Sequence, residues 1–113
     1  MSDGDGIVVE IRWVANPFRG DRFEEAWLPA AEAALDYGAT GWALFRNADG
    51  LLDFTQYAFF PTKLDFERYW YSEEIATARA EASGTYQVPV LPVFHQISGM
   101  GEVREREPAP AAE

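Results

Sequence analysis

Residues Ile7 to Val14 alternate cleanly, with Ile7, Val9, Ile11 and Trp13 on one face and Val8, Glu10, Arg12 and Val14 on the other. A period of two predicts a strand, and because neither face is wholly polar, both can be covered. Asn16-Pro17-Phe18-Arg19-Gly20 breaks the pattern with turn-forming residues. Asp21 with Glu24 three positions on reads as a capping box opening a helix. Phe23, Trp27, Ala30, Ala31 and Ala34 then recur at helical spacing, up to a Gly38 suited to a left-handed terminator. Pro29 falls inside this stripe and predicts a kink, since a straight helix through proline costs about 3 kcal/mol.

Residues 41–46 and 52–60 read as two aromatic-rich strands joined by Asn47-Ala48-Asp49-Gly50, a turn with hairpin chemistry. Pro61 stops the second strand, Thr62 supplies an N-cap with Asp65 at N3, and Phe66, Tyr69 and Trp70 mark a helical stripe. Ser72-Glu73-Glu74 looks like a second cap, so the helix bends or restarts there before running on through residues 75–82 to Gly84. A last strand over residues 90–97 is entered through Pro89 and carries Pro92, which cannot donate to a ladder and predicts an edge or a bulge. The order β-α-β-β-α-β predicts a ferredoxin-like α+β fold, an antiparallel four-stranded sheet with two helices on one face.

Two helices leave the other sheet face open. In strands one and three that second face is mixed but rich in large groups: Val8, Glu10, Arg12 and Val14, then Leu51, Asp53, Thr55, Tyr57 and Phe59. Exposed apolar surface of this kind predicts a homodimer joined sheet to sheet. If the purely apolar face of strand one is the dimer core, Glu10 and Arg12 point under the helices into a pocket. If the faces are reversed, they lie in the barrel between subunits.

Length and charge narrow the function. A chain of 113 residues and 12.7 kDa buries about two-thirds of its unfolded surface, one domain's worth of core. That domain is expected over residues 7–98, with unstructured ends at 1–6 and 99–113, where Gly/Asp-rich, charged and Pro/Ala segments have little to bury. A net charge of −10 argues against nucleic-acid or anionic-membrane partners, while 48% hydrophobic residues argue against disorder. The absence of cysteine removes thiolate catalysis and zinc–thiolate sites, and a single histidine removes a multi-histidine metal site. The polar start and the lack of a long apolar run predict a cytoplasmic protein. Phosphate-cradling glycine loops and the G-x-S-x-G elbow are also missing.

His95 is the natural general base, because its unperturbed type titrates near neutrality, although a lone histidine on an apolar strand also fits a hydrogen-bonded core residue. Arg12 can anchor a phenolate or carboxylate with its guanidinium fork, or simply pair with Glu10 two residues before it. Three consecutive rings, Tyr69-Trp70-Tyr71, cannot all enter one core, so one of them turns outward, where it can wall a pocket or a contact. Tyr57 and Tyr86 are phenols that can bond a substrate oxygen or a backbone carbonyl. Glu73 and Glu74 fit helix capping rather than metal binding.

The stretch over residues 41–82 carries a resemblance. Its parts are a glycine opening strand two, the turn Asn47-Ala48-Asp49-Gly50, the helix start Thr62-Lys63-Leu64-Asp65-Phe66-Glu67, and Tyr69-Trp70-Tyr71-Ser72-Glu73-Glu74. Together they resemble the dimeric α/β-barrel superfamily, particularly its antibiotic biosynthesis monooxygenase-like (ABM) group. The resemblance implies a homodimer and one of several activities: cofactor-independent quinone-forming oxygenation, haem degradation, or polyketide cyclisation and isomerisation. The haem-degrading pattern has Asn on strand one, Trp in the second helix and His two turns later. Here the two possible registers give Tyr69 with Ala78 or Trp70 with Arg79, and Arg12 near the Asn position, which disfavours that branch. What the resemblance implies is then a monooxygenase acting on a hydrophobic aromatic or polyketide-like molecule, requiring no metal or flavin. His95 would deprotonate a phenolic substrate, Arg12 would hold the anion, and Glu10, Tyr57, Tyr69 and Trp70 would line the pocket. A non-catalytic dimer that binds a small molecule or a partner is the alternative.

Overall fold

The alternation of Ile7–Val14 becomes strand β1, and its large apolar side chains decide the architecture by needing cover. The computed structural model describes residues 6–101. The ends expected to lack structure fall outside these residues, save for Gly6 and residues 99–101, which belong to no helix or strand. After β1 come helix α1 (Gly20–Glu32), a 3-10 turn (Ala33–Tyr37), strands β2 (Gly41–Arg46) and β3 (Asp53–Phe60), helices α2 (Lys63–Trp70) and α3 (Glu73–Glu81), and strand β4 (Val93–Gln96). The sheet is antiparallel in the order β2-β3-β1-β4, the ferredoxin-like plan.

The helices cover Val9, Ile11 and Trp13, all buried, and the register carries the same face through Phe54, Gln56, Ala58 and Phe60 of β3. From above, Phe23, Trp27, Ala30 and Ala31 of α1 and Phe66, Tyr69 and Trp70 of α2 close the layer. Tilted rings fill it, with Trp13 4.6 Å from Trp27 and 5.2 Å from Phe23 between centroids. Val8, Glu10, Arg12 and Val14 therefore face the open side, together with Phe59, Tyr57, Thr55 and Asp53 opposite them.

Several local expectations shift. Asp21 and Glu24 do not form a capping box. The helix starts at Gly20, with no side-chain cap at Arg19, and both carboxylates instead bind Arg46 Nη1 at 2.8 and 2.9 Å. Arg46 also donates to the Leu51 carbonyl and stacks over Phe54, so it clamps the hairpin to α1. α1 continues past Pro29 and tightens into a 3-10 turn four residues later, where Ala33 N–H bonds the Pro29 carbonyl. β4 is shorter than the predicted 90–97 because Pro92 has no N–H to donate and β1 offers no partner before Ile7, which pairs with Gln96. Elsewhere the local chemistry acts as read. Thr62 and Ser72 accept from the N–H groups of Asp65 and Ile75, Ser72 restarts the second helix, and Gly38 and Gly84 take positive φ. β4 is an edge strand, and Pro92 lies just before its first residue.

Candidate functional site

β1 presents Glu10 and Arg12 on the open face, two residues apart and so neighbours on one side of the strand. Antiparallel pairing sets Tyr57 of β3 and Val93 of β4 on either side of Glu10, and puts His95 opposite Val8, diagonal to Glu10. Within this register the Glu10 carboxylate has one partner per oxygen: Oε1 lies 2.9 Å from His95 Nε2, and Oε2 accepts from Arg12 Nε at 2.9 Å. Side-chain exposure is graded, 12% for Glu10, 47% for His95 and 79% for Arg12, so a shielded anion sits beneath two accessible nitrogen groups. The Arg12 hydrogen bond, followed by that of His95, holds the Glu10 carboxyl below its ordinary range against the opposing effect of burial. The arrangement can accept a proton at histidine and hold an anion at the guanidinium, two functions a phenol-deprotonating site needs. On the same face, Phe45 of β2 meets Tyr57 edge to face at 6.0 Å and stays 58% exposed.

Tyr69 and Trp70 lie on the other side of the sheet. The Tyr69 hydroxyl donates to the Ala30 carbonyl at 2.8 Å and accepts from Gln56 Nε2 at 3.1 Å, while Gln56 Oε1 accepts from the indole N–H groups of Trp13 and Trp27 at 3.0 and 2.9 Å. Burial pushes the Tyr69 phenol up to about 12. Trp70 packs on Phe66 at 5.7 Å, lies under the Arg79 guanidinium at 4.2 Å, and borders a hollow of about 180 Å³ with Lys63, Tyr71, Pro92 and Phe94. Of the three consecutive rings, Tyr71 is the one that turns outward.

The six residues proposed from the sequence thus fall into two sets. Glu10, Arg12, Tyr57 and His95 share the open face, and Tyr69 and Trp70 belong to the helix-covered core. Sequence reasoning misses Gln56 as the centre of the buried polar network. Its signal is present, a lone amide in the apolar parity Phe54, Ala58, Phe60. Arg79 and Arg46 give no such signal, since their partners come from distant segments. Among the described residues no group of three or more His, Cys, Asp or Glu is placed to hold a metal ion, and no helix is long and apolar enough to cross a membrane.

No family model and no curated protein matches the chain by sequence. Solved structures do match by shape. A putative antibiotic biosynthesis monooxygenase from Nitrosomonas europaea is 17% identical with a TM-score of 0.76, covering 87% of this chain and 95% of its own. A point mutant of SnoaB, a cofactor-independent oxygenase from Streptomyces nogalater, is 12% identical with a TM-score of 0.73, covering 85% and 96%. A putative antibiotic biosynthesis monooxygenase from Bordetella bronchiseptica is 20% identical with a TM-score of 0.69, covering 81% and 97%. The chain has the ABM-like fold of these proteins.

Proposed function

We propose that the chain works as a homodimer, joined through its open sheet face, that deprotonates a phenolic or polyketide-like aromatic molecule and lets it react with O₂. The observation that carries the reading is the Glu10 carboxylate bonded to His95 on one oxygen and Arg12 on the other. In this scheme His95 takes the substrate proton. The outer N–H groups of Arg12 hold the resulting anion, and the electron-rich carbanion reacts with O₂ without a bound cofactor. One oxygen atom stays on the carbon as a new carbonyl, and the other leaves as water with the two hydrogens of that carbon, one of them returned by His95. Tyr57, the β3 neighbour of Glu10, offers a ring face to the substrate. A second copy laid across Val8, Ala43, Phe45 and Phe59 covers the apolar centre, and the β4 edge with His95 remains as the mouth.

Two measurements test the scheme. Light scattering is expected to give twice the 12.7 kDa chain mass, and a 12.7 kDa species refutes the dimer. Oxygen uptake with anthrone- or naphthol-like substrates is expected to depend on His95, and turnover that survives His95→Ala refutes the base.

One observation favours a second reading, a non-catalytic dimer that binds a small molecule or a partner. The space between sheet and helices is filled by Trp13, Trp27, Gln56 and Tyr69, each fully buried and tied into the shared network. Tryptophan fluorescence quenched by aromatic ligands without any oxygen uptake is the outcome that selects it.

A further inference from the structure

From the sequence Glu10 is expected to touch substrate, yet both of its carboxylate oxygens are engaged inside the protein. A carboxylate is acceptor-only, so the nitrogen it meets must carry a hydrogen. At 2.9 Å from Oε1 that nitrogen is His95 Nε2, and among the described residues Nδ1 has no hydrogen-bond partner. Arg12 Nε, which always carries its hydrogen, occupies Oε2 and keeps the carboxylate from rotating away from the ring.

We infer that Glu10 is a positioning residue that fixes neutral His95 as its Nε2–H tautomer and so makes Nδ1 the nitrogen that accepts the substrate proton. The inference rests on the proposed acid–base function for its chemical meaning, but the tautomer is a property of the protein without substrate. On proton transfer to Nδ1 the imidazole becomes a cation with both nitrogens protonated. Its Nε2–H keeps its bond to Glu10, and the charge formed is met by a carboxylate already in place. The ionisable and charged groups that share this face with His95 are Glu10 and Arg12 from β1 and Tyr57 and Asp53 from β3, with Asp53 at the far end of the strand pair opposite Val14, and the Glu10–Arg12 pair is net neutral until His95 takes its proton.

The chain has one histidine, so a long-range proton–nitrogen spectrum of uniformly ¹⁵N-labelled protein reports a single imidazole. In the wild type at pH 9 the expected pattern is one tautomer, with hydrogen on Nε2 and a pyridine-type Nδ1. An Nδ1–H tautomer or an even mixture overturns the inference. Glu10→Gln keeps its single amide oxygen for the Arg12 donor and turns its amide N–H towards Nε2, so it is expected to shift the ring towards the Nδ1–H tautomer. It should also lower kcat by at least about tenfold while KM stays within about twofold. An unchanged tautomer in Glu10→Gln, or a KM effect alone, overturns the positioning role. Glu10→Asp serves as the conservative variant and should restore part of the kcat, and the wild-type spectrum decides the tautomer even if neither variant folds. Absence of turnover in a wild type with the Nε2–H tautomer overturns the enzymatic reading and leaves the assignment of Glu10 standing.

Discussion

Replacing Gln56 with leucine tests whether the buried polar network holds the helix layer to the sheet. Gln56 is 1% exposed and its oxygen accepts from two indoles, those of Trp13 on β1 and Trp27 on α1, while its amide donates to Tyr69 on α2. Leucine is similar in size and fills the space, so the cavity effect is small and the polar loss dominates. Two buried N–H donors lose this acceptor at about 1–3 kcal/mol each, roughly 4 kcal/mol together. The Tyr69 hydroxyl still donates to Ala30, 2.8 Å away, and is not stranded. Removing a buried primary amide returns about 1–2 kcal/mol, leaving a net loss of about 2–3 kcal/mol. For a domain of this size that is a fall in Tm of about 10–20 °C. Urea unfolding followed by tryptophan fluorescence and near-ultraviolet circular dichroism measures it, with an unchanged m-value expected because the exposed surface is the same. A double variant, Gln56→Leu with Tyr69→Phe, should cost less than the sum of the two singles, because both cut the same network. A Gln56→Leu protein within about 0.5 kcal/mol of wild type, or strict additivity in the double variant, would show that packing alone organises the layer.

Other expectations follow from single contacts. Burial raises the Tyr69 phenol from 10.0 to about 12, so its contribution to stability changes only in alkali: raising a phenol's value in the folded state favours the neutral form, an effect fully present below pH 10 at no cost and turned into a penalty as the pH climbs between 10 and about 12. Tyr69→Phe should flatten that alkaline limb in a pH-stepped urea series, and an unaltered limb refutes the assignment. The Glu10 carboxyl is held low by Arg12 and His95, so its stabilising effect is present above the ordinary carboxyl range and lost as pH falls through the lowered value. Glu10→Gln should therefore weaken the acid dependence of stability, and a parallel pH profile counts against the pairing. Gly20→Ala drives a Cβ into Arg46 Nη2 and against the Leu51 carbonyl at 3.1 Å, and should cost about 1–3 kcal/mol by loosening the Arg46 clamp. Thermal melting of Gly20→Ala beside Arg46→Ala checks this, since the second loss should be small once the first is made. Phe18 sits at φ +64° and is 98% exposed, so Phe18→Gly relieves left-handed strain and should stabilise by up to about 1 kcal/mol in the same melts.

Local chemistry explains why the elements are legible. The eight residues of β1 repeat with a period of two, Thr62 and Ser72 cap through bonds spanning three positions, and Asn47 Oδ1 accepts from Asp49 and Gly50 N–H to shape the hairpin. Each of these depends on neighbours in the chain. The Asp21–Glu24 pair shows the limit of such reasoning, because a carboxylate suited to a cap binds a guanidinium 25 positions away once the fold brings Arg46 to it.

Strand periodicity establishes which residues share a face: Glu10 with Arg12, and Trp13 with Ile11. It carries no further information, so it leaves open whether Glu10 and Arg12 look into the helices or away from them. That choice belongs to the packed molecule. β1 has valines on both faces, and the selection between them is made by the whole layer, where Phe23, Trp27, Phe66 and Tyr69 bury the greater apolar area against Val9, Ile11 and Trp13. The same selection separates Tyr69 and Trp70 from the open face and brings His95, 85 positions from Glu10, within 2.9 Å of it. The pairing exists because β4 closes the sheet beside β1, a long-range contact that no local pattern encodes.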